Sequence, residues 1–133
     1  MLSASDQARR KAAIAWHAAA DKQAQDLIAI DVSGRLPLTD IFLLASCRND
    51  PQLGAIAKNI ETKLTAAHYP ATRVEGHRDG DWLLLDYGEL IVHLFREEAR
   101  AHYSLERLWK DCPTLALASD GATSSAAIAG GES

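Results

Sequence analysis

Asp79-Gly80-Asp81 and Asp86 bring three carboxylates close together in the chain. Paired carboxylates are what a nucleotidyl-transfer centre uses to bridge Mg²⁺ to substrate phosphates. Such a centre also needs a small, glycine-containing turn whose backbone N–H groups approach phosphate. Only Ser33-Gly34 offers one, after the first expected strand and without a glycine-rich run. The set is incomplete and reads as a solvated turn with edge carboxylates, which leaves a metal-dependent nucleotidyltransferase as the alternative reading. The five histidines, His17, His68, His77, His93 and His102, show no metal-ligand spacing of the H-x-x-x-H kind. His93 lies mid-strand between apolar neighbours, where a hydrogen-bonded structural role outweighs that of a general base. No G-x-S-x-G elbow is present, and Cys47 is followed by Arg48 with no evident histidine partner, so covalent catalysis finds no support. We assign no catalytic residue, metal ligand or cofactor.

Composition points the same way. The chain has 133 residues, 47% hydrophobic and 24% charged, which suits one globular domain with a single core. Cys47 and Cys112 form no C-x-x-C and read as free thiols of a reducing compartment. A net charge of −4 is the wrong sign for a protein that coats nucleic acid and favours a protein or small-molecule partner. No apolar run approaches a membrane span, and Arg9-Arg10-Lys11 has no apolar segment after it to make a signal peptide, so a cytoplasmic location is expected.

The elements that must position these residues follow from periodicity. The first 22 residues read as a helix, with Ser3 and Asp6 at capping-box spacing and a stripe through Ala8, Ala12, Ala15 and Ala19. Asp26 to Val32 alternates as a strand, whereas Asp40 to Cys47 is almost continuously apolar, as expected of a central strand covered on both faces. Asp50 as N-cap and Pro51 at the first helical position open a helix whose stripe runs through Leu53, Ile56, Ala57, Ile60, Leu64 and Ala67. Pro70 closes it.

A short strand at Thr72 to Glu75 is followed by a polar turn, Gly76 to Gly80. Two further strands, Asp81 to Asp86 and Glu89 to Phe95, join through Tyr87-Gly88. With Leu85 opposite Leu90, one side of the hairpin is aliphatic: Leu83, Leu85, Leu90, Val92 and Leu94. The other is mixed: Trp82, Leu84, Asp86, Glu89, Ile91, His93 and Phe95. Glu97 to His102 begins a last helix, continued by Leu105, Leu108 and Trp109 and stopped by Pro113. The expected class is a single-domain α/β fold, residues 1–113, with a mixed sheet of about five strands flanked by helices. From Thr114 to Ser133, thirteen of twenty residues are Ala, Ser or Gly, so 114–133 reads as a disordered tail. Deleting Ala116 to Ser133 is expected to leave stability unchanged.

Asp81-Trp82, the three aliphatics after it, Asp86-Tyr87-Gly88-Glu89, Val92-His93, Phe95, Glu97-Glu98, Arg100, Tyr103, Leu105-Glu106 and Leu108-Trp109 together resemble the signature of the ribosomal silencing factor, or Iojap-like, family. Upstream support comes from Asp26 to Val32, Thr39-Asp40 and Glu75-Gly76, so the resemblance covers roughly Ala24 to Trp109. The segment Ser46 to Pro51 departs from it, since family members more often carry a glycine- and serine-rich turn there.

The resemblance implies a nucleotidyltransferase-like fold without a complete active site. It also implies a non-catalytic factor that binds the large ribosomal subunit through the universal large-subunit protein fourteen. Such a factor blocks joining of the small subunit and represses translation under nutrient limitation, and it sometimes self-associates when free. An acidic protein suits a basic ribosomal partner. Interface energy concentrates in aromatic anchors ringed by polar groups, which places the expected binding surface on the mixed face and turn of the hairpin: Trp82, Asp86, Tyr87, Glu89 and His93, flanked by Arg100.

Overall fold

The computed structural model describes residues 3–76 and 80–117. Helix α1 (Asp6–Asp21) leads into strands β1 (Gln25–Asp31) and β2 (Ile41–Cys47), then α2 (Asp50–Ala66). Strands β3 (Arg73–Glu75), β4 (Trp82–Asp86) and β5 (Leu90–Arg96) follow, then α3 (Glu97–Tyr103), α4 (Leu105–Leu108) and β6 (Thr114–Leu115). The strands form one sheet in the order β3-β4-β5-β2-β1-β6. Only β2 and β5 run parallel. The mixed α/β class holds, with six strands instead of about five.

The sixth strand comes from the segment expected to leave the domain. Thr114 and Leu115 pair antiparallel with Ile30 and Ala29, and Leu117 is fully buried in the main core. Two aliphatic residues among small ones are enough to dock this stretch on the sheet edge, so the described fold extends past the boundary expected at Thr114. The rest of the tail lies outside the described residues.

Central β2 is buried at all seven positions. Helices α1 and α2 cover one face of the sheet, where Leu53, Ile56, Ile60 and Leu64 meet Ile41, Leu43, Leu83, Leu85, Leu90, Val92 and Leu94. Ala8, Ala12, Ala15 and Ala19 line the buried side of α1 as read from the sequence. Having no side chain beyond Cβ, they let the helix axis come close. The caps differ from expectation by a residue or two. Ser5, not Ser3, caps α1, its Oγ accepting from the Ala8 N–H at 3.0 Å, and Asn49, not Asp50, caps α2 by accepting from the Gln52 N–H at 2.9 Å.

Three strand-end carboxylates hold the entry to α1. Asp31 accepts from the Ala4 N–H and Asp40 from the Ser5 N–H, both at 2.9 Å. Glu89 accepts from Gln7 and Ser5 and pairs with the Lys11 ammonium at 3.4 Å. Lys11 Nζ also donates to the Tyr87 carbonyl at 2.8 Å. Burial alone would raise the Asp31 carboxyl, but the hydrogen bonds from Ser33 and Ala4 outweigh it and hold the group below its ordinary value.

In the β4–β5 hairpin Leu85 faces Val92, not Leu90, and Asp86 faces Ile91. The loop is Gly88-Glu89 instead of Tyr87-Gly88, because Gly88 takes φ +80 and its N–H is held by the Asp86 carboxylate at 2.8 Å. The slip is two residues, so side-chain parity is unchanged. The aliphatic side is buried as expected. The last helix is also broken, at Ser104 (φ 49), which turns α4 so that Leu108 is exposed instead of continuing a core stripe.

A chain ending at Leu117 and one ending at Pro113 should therefore differ. Losing β6 and the buried Leu117 is expected to cost about 2–5 kcal/mol and to lower the melting midpoint by roughly 10 °C, measured by circular dichroism. Equal midpoints would show that this edge does not contribute.

Candidate protein interface

The second face of the sheet is only partly covered. Over β1 and β2, Ile30, Val32, Phe42, Leu44 and Phe95 form a smaller core closed by Leu105, Trp109 and Cys112. The ring of Trp109 meets Phe42 edge-on at 5.2 Å, and the Arg35 guanidinium lies over it, 4.8 Å from its centroid. Toward β4 this cover ends. Trp82, Leu84 and Ile91 are half-buried there, and Tyr103, 48% exposed, stands at the rim.

Trp82 organises this opening. Its ring centroid lies 5.0 Å from those of both Phe95 and Tyr103, and its Nε1–H donates to His93 Nδ1 at 3.1 Å. His93, 5% exposed, lies against Phe42 at 4.8 Å. Burial pushes its pKa from the ordinary 6.5 down to about 4. Around the patch, charges are interleaved: Arg96 bridges Asp81 at 3.2 Å and Asp50 at 3.4 Å, and Arg73 pairs with Asp86 at 3.3 Å.

The residues expected at a binding surface thus divide. Trp82 and His93 are brought together, and Asp86 lies four residues further along β4 on the same side. Glu89 is half-buried, but its carboxylate is engaged with the entry to α1. Tyr87 shares the parity of Leu85 and is 2% exposed within the main core. Burial, then the nearby Glu61 carboxylate, push its phenol pKa upward. Arg100, 8% exposed, is a brace. It donates to the Asp26 carbonyl where β1 departs from regular pairing, to Ser46 Oγ at 2.9 Å and to Glu106 at 3.2 Å.

Tyr103 and the apolar pair Leu84 and Ile91 were not singled out by the sequence as members of the site. Alternation already put Leu84 and Ile91 on the mixed face. Tyr103 is set by the break at Ser104, which helical periodicity does not reveal.

The carboxylates weighed for metal binding are otherwise engaged. Asp81 faces Arg96, and Asp86 serves the turn and Arg73. Asp79 lies outside the described residues. Among the described residues, no three His, Cys, Asp or Glu side chains are grouped as a metal site, and no helix is long and apolar enough to cross a membrane. What the opening offers chemically is a half-buried aromatic and aliphatic patch, rimmed by paired charges, to which a protein surface can dock.

Comparison with known proteins gives a consistent picture. The family model described as "Ribosomal silencing factor during starvation" matches residues 5–131. The chain is 36% identical over 104 residues to the Ribosomal silencing factor RsfS of Bacillus subtilis, which covers 78% of this chain and 88% of that protein. It is 31% identical over 91 residues to the mouse protein named Mitochondrial assembly of ribosomal large subunit protein 1, covering 66% of this chain and 40% of the other. The crystal structure of a Chromobacterium violaceum protein superposes with a TM-score of 0.73 at 30% identity, over 75% of this chain and 83% of that one.

The buried imidazole sets a pH dependence. Between pH 6.5 and about 4 the unfolded chain binds a proton at His93 that the folded chain refuses. The stability present above pH 6.5 is therefore lost as the pH falls toward 4, by roughly 3 kcal/mol. Denaturant titrations across this range should show that loss in the parent and a flatter profile in His93→Phe. Identical profiles would show that His93 is not held neutral by the fold.

Proposed function

This chain belongs to the ribosomal silencing factor family, and from that premise we propose that it docks on the large ribosomal subunit through the universal large-subunit protein fourteen. Held on the subunit's joining face, it blocks the small subunit and represses translation under nutrient limitation. The observation that carries the reading is the Trp82-centred opening. A sheet face that is otherwise covered leaves an aromatic anchor and two aliphatic neighbours half-open within a rim of paired charges, which is the composition of a protein-binding hot spot. The name of the mouse relative, which refers to assembly of the large ribosomal subunit, supports that subunit as the partner.

The action is steric and needs no catalysis, cofactor or metal. Direct contact falls to Trp82, Leu84, Asp86, Ile91 and Tyr103. Glu89 contributes charge at the hairpin tip, and Tyr87, His93 and Arg100 act from within by holding the surface in place. A net charge of −4 steers the protein toward a basic ribosomal protein and away from bulk RNA. The same apolar opening is where two free copies would pair, and the cytoplasm is where such a factor works.

The protein should co-sediment with isolated large subunits and not with small ones, and adding it before the subunits are mixed should lower the yield of complete ribosomes. Equal binding to both subunits, or unimpaired joining, contradicts the reading. Trp82→Ala should weaken binding by about tenfold or more, as expected of a hot-spot aromatic. Asp86→Asn keeps the acceptor for the Gly88 N–H while removing the charge, and should weaken binding less and reduce its salt dependence. Leu85→Ala should instead lower stability by about 2–5 kcal/mol. Normal binding by a cooperatively folded Trp82→Ala protein would move the interface elsewhere.

A further inference from the structure

We propose that His93 is a positioning residue: its buried Nδ1 takes the Trp82 indole N–H, fixes the orientation of the ring, and presents an all-carbon surface to the partner. The proposal rests on the functional reading above and adds what the partner must offer, an apolar socket with no acceptor for the indole nitrogen.

Trp82 is held laterally by Phe95 and Tyr103 at 5.0 Å, with tilted rings. Contacts of this kind tolerate sliding and rotation. Among the described residues, the directional restraint on the indole is the 3.1 Å hydrogen bond to His93 Nδ1, and without it the ring can turn over and point its N–H outward. Because Nδ1 accepts, the proton of the neutral imidazole resides on Nε2. That buried atom meets no acceptor among the described residues. Around the imidazole stand Phe42, Trp82 and Phe95, with Leu44 and Leu84 opposite it on the neighbouring strands, so an apolar residue would satisfy this position at lower cost than a histidine with an orphaned donor. The histidine gains nothing for the core beyond what a phenylalanine would supply, and what it uniquely adds is the acceptor for Trp82.

The indole N–H of Trp82 is observable by ¹H–¹⁵N NMR and can be told from those of Trp16 and Trp109 by its loss in Trp82→Phe. In His93→Phe the resonance should shift and exchange faster with solvent. The melting midpoint at pH 7 should stay equal or rise, and large-subunit binding should weaken about 3- to 10-fold, the range expected for one lost hydrogen bond. His93→Asn, whose Oδ1 can replace Nδ1, should recover part of both the resonance and the binding. In a Trp82→Phe background, His93→Phe should cost no further affinity. An indole resonance unmoved by His93→Phe overturns the proposal, as does an equal loss of affinity in the Trp82→Phe background, which would mark His93 as structural or as a direct contact. Failure of the parent to bind large subunits refutes the functional reading alone, since the indole resonance decides the positioning without any partner.

Discussion

Strand β2 has no solvent side. Seven consecutive buried residues, paired on one edge with β1 and on the other with β5, require cover above and below, and the rest of the molecule is arranged to provide it. On one face the cover is complete, because α1 and α2 are long and α1 turns alanines inward. On the other it is improvised from short pieces: α3, a four-residue α4, Trp109 and Cys112. These pieces are long enough for β1 and β2 and too short for β4, and the shortfall is the opening at Trp82. The candidate site is thus where a core built around one strand runs out of covering material.

Much of this was legible in the sequence where a periodic pattern met a buried face. The continuous apolar run of β2, the alanine stripe of α1 and the stripe of α2 each appear where expected. The hairpin is instructive because its register was misread by two residues and its faces were still assigned correctly. Alternation encodes parity, which burial enforces, whereas the choice of loop depended on Gly88 adopting a positive φ and on Asp86 holding its N–H. The strand at Thr114–Leu115 was illegible for a different reason. Two residues carry no periodicity, and an edge strand of that length exists only because β1 offers an open edge beside it.

For the candidate site, alternation separated the two sides of the hairpin and could not rank the members of either by exposure. Tyr87 shares the core-facing parity of Leu85, Glu89 is engaged by the entry to α1, and Arg100 is drawn inward by the Asp26 carbonyl where β1 is irregular, a backbone feature without a sequence signal. His93 lies where it was expected, between apolar neighbours and hydrogen-bonded. Its partner, a tryptophan across the strand pair, follows once the two-residue correction sets Leu84 opposite it and Trp82 on the diagonal.

The attachment of α1 also bears on how the molecule comes into being. The N-terminal turn is clasped by Asp31, Asp40 and Glu89, at sequence separations of 27, 35 and 84 residues. Made from its N-terminus, the chain produces its first helix early and the last clasping carboxylate only when Glu89 is added. Until then the alanine face of α1 has neither β5 to lie on nor Glu89 to hold its lysine. The clasps at Asp31 and Asp40 and the packing of α1 on α2 involve residues made earlier, so the seat of the helix is begun by the first half of the chain and completed only when the hairpin brings in Glu89, the most distant and slowest contact to close.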